Sequence, residues 1–60
     1  MSELDLHFAR ILDAARAGDI ERGRTLVAEL VGRDERWRSF LEAMRDLDEL
    51  PHGDELLAEG

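Results

Sequence analysis

The sequence predicts an all-α fold, a helical hairpin plus a third helix, and three observations predict it. Apolar residues recur at helical spacing in three segments, and no run alternates in the manner of a strand. A capping residue precedes each segment: Ser2, Asp19 and Asp34. Gly18, Gly32 and Pro51 punctuate the chain where those segments end. Such an array closes either as a small three-helix bundle or by pairing with a second copy.

The first helix is expected over about Glu3 to Ala17. Ser2 caps it, and Asp5 three residues later completes a pair of the capping-box kind. Glu3 and Asp5 sit where the helix dipole favours negative charge. Leu4, Phe8, Ile11, Leu12 and Ala15 form its apolar stripe, with His7 beside it as a partly exposed structural residue. Gly18 supplies the left-handed position that stops the helix.

The second helix is expected over Ile20 to Val31, capped by Asp19 and ended by Gly32. Its apolar face is Leu26, Val27, Leu30 and Val31, with Ile20 and Gly23 one turn back. A glycine inside a helix costs about 1 kcal/mol relative to alanine. A close helix–helix crossing at Gly23 would explain that cost. The third helix is expected over Glu35 to Leu50, capped by Asp34 and closed by Pro51. Trp37, Phe40, Leu41, Met44 and Leu47 share one face. Asp34 with Arg38, and Glu42 with Arg38 and Arg45, are expected to pair along it. The expected core is Leu4, Phe8, Ile11, Leu12, Ile20, Leu26, Val27, Leu30, Trp37, Phe40, Leu41, Met44 and Leu47.

These boundaries give a helical domain over residues 1–50 and an acidic C-terminal tail over 51–60. His52-Gly53 reads as a loop, and Asp54 can cap one short turn over Glu55 to Ala58. The connections Gly18-Asp19 and Gly32-Arg33-Asp34 are short, which makes neighbouring helices antiparallel. Residues 11–19 (Ile-Leu-Asp-Ala-Ala-Arg-Ala-Gly-Asp), followed by Leu26-Val27-Ala28, resemble the helix pair of an ankyrin-type repeat, most of all a terminal capping pair. The resemblance spans roughly residues 4–32. The Thr-Pro-Leu-His element, a second copy and the turn after the second helix are missing. It implies a tight antiparallel helix pair with Ala14, Ala15 and Ala17 near the crossing.

At 60 residues the chain is one domain, and a lone core of this size is marginal. With no cysteine there is neither a disulfide nor a thiolate zinc site to reinforce it. Tight packing or association must do so, and a homodimer or partner-dependent folding is expected. The acidic start of the chain is unlike a secretory signal, and no run approaches the roughly 18 apolar residues of a spanning helix, so a cytoplasmic location and no membrane partner are expected. All eight basic residues are arginine, which reads as the bias of a GC-rich coding sequence.

The net charge of -7 is unevenly placed. Residues 1–45 hold nine Asp/Glu and eight Arg; residues 46–60 hold six Asp/Glu and no Arg. Charge asymmetry of this kind points to a partner. Helices two and three have the order of a helix-turn-helix, with Arg33, Arg36 and Arg38 available to phosphate. The acids Asp34, Glu35, Glu42, Asp46, Asp48 and Glu49 outweigh them, and direct nucleic-acid binding is not expected.

No catalytic residues, cofactor or metal site are expected. Ser2 and Ser39 have no base within helical reach. Asp46, Asp48, Glu49, His52 and Asp54 are hard-ligand types, but their spacing does not match a calcium loop. Trp37 is either a core anchor or a partner contact. The candidate partner-binding residues are Trp37, Asp46, Asp48, Glu49, Leu50, Asp54, Glu55, Leu56, Leu57 and Glu59. In that expectation the acidic segment docks on a basic protein surface, with the leucines as apolar anchors between carboxylates. The function expected is a non-enzymatic interaction module: an adaptor, regulator or inhibitor of a partner protein. Two alternatives stand beside it. One is a nucleic-acid mimic whose acidic segment blocks a nucleic-acid-binding protein. The other is an accessory subunit of a larger enzyme.

Overall fold

Aspartates and one glycine set the helix ends. In the computed structural model, which describes residues 3–58, α1 spans Glu3–Ala17, α2 Ile20–Arg33, α3 Arg36–Asp46 and α4 Gly53–Leu56. Among the described residues there is no strand, and the three long helices pack together as a small all-α bundle. Ser2, the expected first cap, lies outside the described residues.

At the end of α1, Gly18 adopts φ 74°. Its N–H donates to the Ala15 carbonyl at 3.1 Å, and the Asp19 N–H donates to Ala14 at 3.0 Å. This is a Schellman closure, and it needs the left-handed residue. Asp19 then caps α2, accepting the Arg22 N–H at 3.3 Å. The reversal takes two residues and lays α2 back along α1.

Gly32 does not end α2. The helix runs through it to Arg33 and stops at Asp34, whose backbone is extended at φ -152°. The N-cap of α3 is Glu35, not the expected Asp34, and it makes no side-chain cap hydrogen bond; Asp34 lies one residue earlier and accepts the Arg36 N–H on Oδ1 at 3.1 Å in a turn that leads into the helix. The next departure is the end of α3, expected at Leu50 and observed at Asp46. Asp48 takes φ 60°, and the Glu49 N–H donates to the Met44 carbonyl at 2.8 Å while the Asp48 N–H donates to Arg45 at 3.0 Å. A second Schellman closure therefore forms with aspartate in the position glycine usually holds. Pro51 plays no part in that stop. It lies in the turn that leads through His52, at φ 56°, into α4.

That early stop builds the core. With α3 cut short, the chain folds back and delivers Leu50, Leu56 and Leu57 inward, with 4%, 2% and 8% of their surface exposed. They join Ile11, Ala15, Val27, Leu30 and Leu41 in one buried cluster. Leu4, Phe8, Leu12, Ile20, Leu26, Val31, Trp37 and Met44 pack against it from the edges. Phe40 and Leu47, expected in the core, are instead 50% and 69% exposed.

Gly23 shows why the tail fits. It is buried on α2, and Leu56 lies directly over it, so close that a β-carbon there would overlap the Leu56 side chain. The expected close approach is real, but it involves α4 as well as the Ala14 side chain of α1. The radius of gyration is 10.2 Å, against about 10.4 Å for a compact 60-residue monomer. Within the chain, the tail closes this core.

Candidate interaction surface

Two surface features stand out from the folded body: an apolar ridge on α3 and an acidic end where α3 meets α4. The ridge begins with the three aromatic side chains of the chain, Phe8, Trp37 and Phe40. Their ring centroids are mutually 5.3 to 5.6 Å apart, with Phe40 edge-on to both others. This is the favoured geometry of aromatic pairs. Phe8 comes from α1, and Trp37 and Phe40 from successive turns of α3. The trio therefore bridges two helices.

Trp37 is half-buried at the inner edge of the trio, and Phe40 stands at its outer edge. Beside them is an open depression of about 380 Å³ lined by Asp34, Arg36, Trp37 and Phe40. Further along α3, Ala43 and Leu47 are also exposed. Arg36, Phe40, Ala43 and Leu47 follow at intervals of four, three and four residues, the spacing of a helix seam. Sequence reasoning missed this ridge because Phe40 and Leu47 lie beside Trp37, Leu41 and Met44. A single broad stripe looked entirely inward. The four-three-four spacing was the available signal.

Asp34 anchors the basic end of the ridge. Its carboxylate accepts from Arg36 Nε at 3.0 Å and Nη2 at 2.9 Å. The hydrogen bonds and charge of Arg36 hold the Asp34 carboxyl below the ordinary aspartate range. The expected Asp34–Arg38 pair is replaced by this one. Arg38 lies 3.8 Å from Glu42.

At the other end, Arg45 turns away from Glu42 and sits between Asp46 at 3.2 Å and Asp54 at 3.8 Å. His52 Nδ1 is 4.0 Å from Glu55. The acidic segment thus meets a cation from outside its own span. Asp48 and Glu49 are exposed, and among the described residues no arginine or histidine pairs with either.

The expected partner-binding residues divide accordingly. Asp46 and Asp54 meet at Arg45, Asp48, Glu49 and Glu55 are exposed, and Trp37 lies on the ridge. Leu50, Leu56 and Leu57 do not belong to that surface. They are buried in the chain's own core, because apolar area covered intramolecularly needs no partner to remove it from water. Glu59 lies outside the described residues.

Two further features complete the surface. His7 is buried, not partly exposed, and its Nε2–H donates to Glu29 Oε2 at 2.9 Å, tying α1 to α2. A groove of about 370 Å³ runs between α2 and the tail, lined by Val27, Val31, Leu56 and Leu57 with Arg24 and Arg38 beside them. Arg24 Nη2 donates to the Ala58 carbonyl across it at 3.4 Å. Among the described residues no three His, Asp or Glu side chains gather closely enough to hold a metal ion. None of the described helices is long and apolar enough to cross a membrane.

Compared with known protein families, with curated proteins and with solved structures, the chain finds no match in any of the three. The ankyrin-like features of the first helix pair therefore stand as local geometry.

Proposed function

We propose that this chain is a small, acidic, non-enzymatic protein-interaction module, an adaptor, regulator or inhibitor that works through one face. The observation that carries the reading is Phe40. The chain has three aromatic residues and keeps one of them half in water, although the core is otherwise closed. Exposed apolar area of this kind beside a rigid aromatic support is what a contact surface requires. Trp37 and Phe8 hold the Phe40 ring in place, so little side-chain freedom is lost on contact.

The test is capture of partners on immobilised protein. Phe40→Ser leaves Leu41 and the tail leucines in place and should keep the fold while abolishing capture. Capture that is unchanged in Phe40→Ser would remove the ridge from the interaction.

A second reading is a nucleic-acid mimic, and Asp48 with Glu49 favours it. Among the described residues these two exposed carboxylates have no basic partner. Against it, Arg45 already neutralises part of that end. The mimic predicts that Asp48→Asn with Glu49→Gln loses a nucleic-acid-binding partner while Phe40→Ser keeps it. The module predicts the reverse.

A further inference from the structure

We propose that the α3 ridge receives a basic amphipathic helix of another protein, with that helix's apolar seam on Phe40, Ala43 and Leu47 and its arginines or lysines along the acidic row beside them. The proposal rests on the interaction reading above and names the chemistry of the partner.

The side chains of α3 fall into neighbouring rows. Trp37, Leu41 and Met44 form the inner row, buried or half-buried against the body. Arg36, Phe40, Ala43 and Leu47 form the ridge row, exposed throughout. Glu35, Ser39, Glu42 and Asp46 form a third row, one residue earlier at each step. A helix turns by about 100° per residue, so this third row flanks the ridge on the side away from the core. It holds three acids and no base.

The cations near that row stand apart from the ridge. Arg38 lies 3.8 Å from Glu42 and Arg45 3.2 Å from Asp46, and positions 38 and 45 are on the far side of the acidic row. Among the described residues no arginine or histidine pairs with the Glu35 side chain. Arg36, the cation on the ridge row, is held by Asp34. Past Leu47 the exposed Asp48 and Glu49 continue the negative sign.

Shape and charge then select the occupant. Apolar side chains spaced three and four apart on an exposed helix are the surface that a second helix meets with its own seam. The depression of about 380 Å³ beside Trp37 and Phe40 seats one side chain of that seam. The whole chain carries a charge of -7, so an anionic lipid surface or a second acidic copy is repelled at this flank. Cations opposite Glu35, Glu42 and Asp46 meet complementary charge. With 11 residues, α3 is about 16 Å long, so the contact falls below the roughly 1,600 Å² of a standard interface and dissociates readily.

Selection from a displayed library of helical peptides on the full chain tests this at about 0.15 M salt. The library fixes an apolar seam and randomises the flanking positions among Lys, Arg, Glu, Gln and Ser. Selected peptides should carry Lys or Arg on one flank, and a synthetic copy should bind Phe40→Ser at least tenfold more weakly than the wild type. The double variant Glu35→Lys with Asp46→Lys should lose the preference for basic flanks although the chain remains acidic. Circular dichroism on each variant confirms that the helices persist. A library that yields no binder overturns the proposal, as do binders without a basic flank. A preference that survives in the double variant reflects net charge alone and overturns it too. So does a dimer of the wild type that Phe40→Ser abolishes, which would give the ridge to a second copy. Phe40-dependent binders without basic flanks would sink this chemistry and leave the interaction module standing, whereas binders indifferent to Phe40→Ser would remove the ridge from both.

Discussion

Leu56 sits on the bare backbone of Gly23, in the space that a β-carbon would occupy. The contact joins the last helical turn to the middle of α2, and it makes two glycines of one helix behave oppositely. Gly32 has nothing within 4 Å of where its β-carbon would be. Gly32→Ala should therefore stabilise the protein by about 1 kcal/mol, the helix-propensity difference. Gly23→Ala gains the same propensity but overpacks a residue that is 2% exposed, at a cost of about 1–3 kcal/mol, and should be destabilising. Urea unfolding of both variants checks the pair. In a Leu56→Ala background the Gly23→Ala penalty should vanish, and a penalty that persists there would place the clash elsewhere.

The same contact predicts that the tail cannot be removed. A buried Leu→Ala change costs about 2–5 kcal/mol, and a single core of this size supplies only about 3–5 kcal/mol. Leu56→Ala should come close to unfolding the chain, and truncation after Leu50 should unfold it. A truncated chain that melts cooperatively near the wild-type temperature would show that α1 to α3 suffice.

Asp48 holds a left-handed backbone position at φ 60°, where a side chain costs about 1 kcal/mol relative to glycine. Asp48→Gly should raise stability by up to that amount, and Asp48→Val should lower it, since a branched β-carbon fits that region worst. Thermal melts of the two variants should shift in opposite directions. If both shift the same way, the turn is not limited by the backbone at that residue.

Asp34 makes one part of stability depend on acid. The Arg36 hydrogen bonds depress its carboxyl in the folded chain relative to the unfolded one. The unfolded chain therefore binds the proton first as pH falls, so the stabilisation is fully present above the ordinary aspartate range. It is lost as pH drops below about 4 toward the folded value. Asp34→Asn should flatten the stability–pH slope in that acid window while changing little above about pH 5. A slope identical to the wild type would mean that other carboxylates carry the acid sensitivity.

Trp37 bridges α3 to the core edge and to two other rings. Trp37→Ala should cost more than any Arg→Ala change on the surface. Each aromatic pair is worth about 0.5–1.5 kcal/mol beyond the area it buries, whereas an exposed ion pair is worth about 0–1 kcal/mol. Chemical denaturation of Trp37→Ala beside Arg38→Ala decides it, and equal losses would place Trp37 outside the folded body's energetics.

The sequence by itself determined the all-α class, the three long helices and their N-terminal starts to within a residue, and the stop at Gly18. Those features are local. A cap, a dipole-matched charge and a helical spacing act over a few residues and are legible in any window that contains them. Much of the inner face was legible for the same reason, through Ile11, Val27, Leu30 and Leu41. The tertiary structure alone decided where α3 ends and what closes the core. Asp48 is not a residue that demands a left-handed turn. It adopts one because the turn returns Leu50, Leu56 and Leu57 to the core, and burial of three leucines outweighs one strained backbone position. The same exchange displaced Phe40 and Leu47 to the surface. A 60-residue chain can enclose only so many large side chains, and helical spacing alone does not say which of two neighbouring stripes on one helix faces inward. That depended on a segment ten residues further along, fitting against a glycine two helices away.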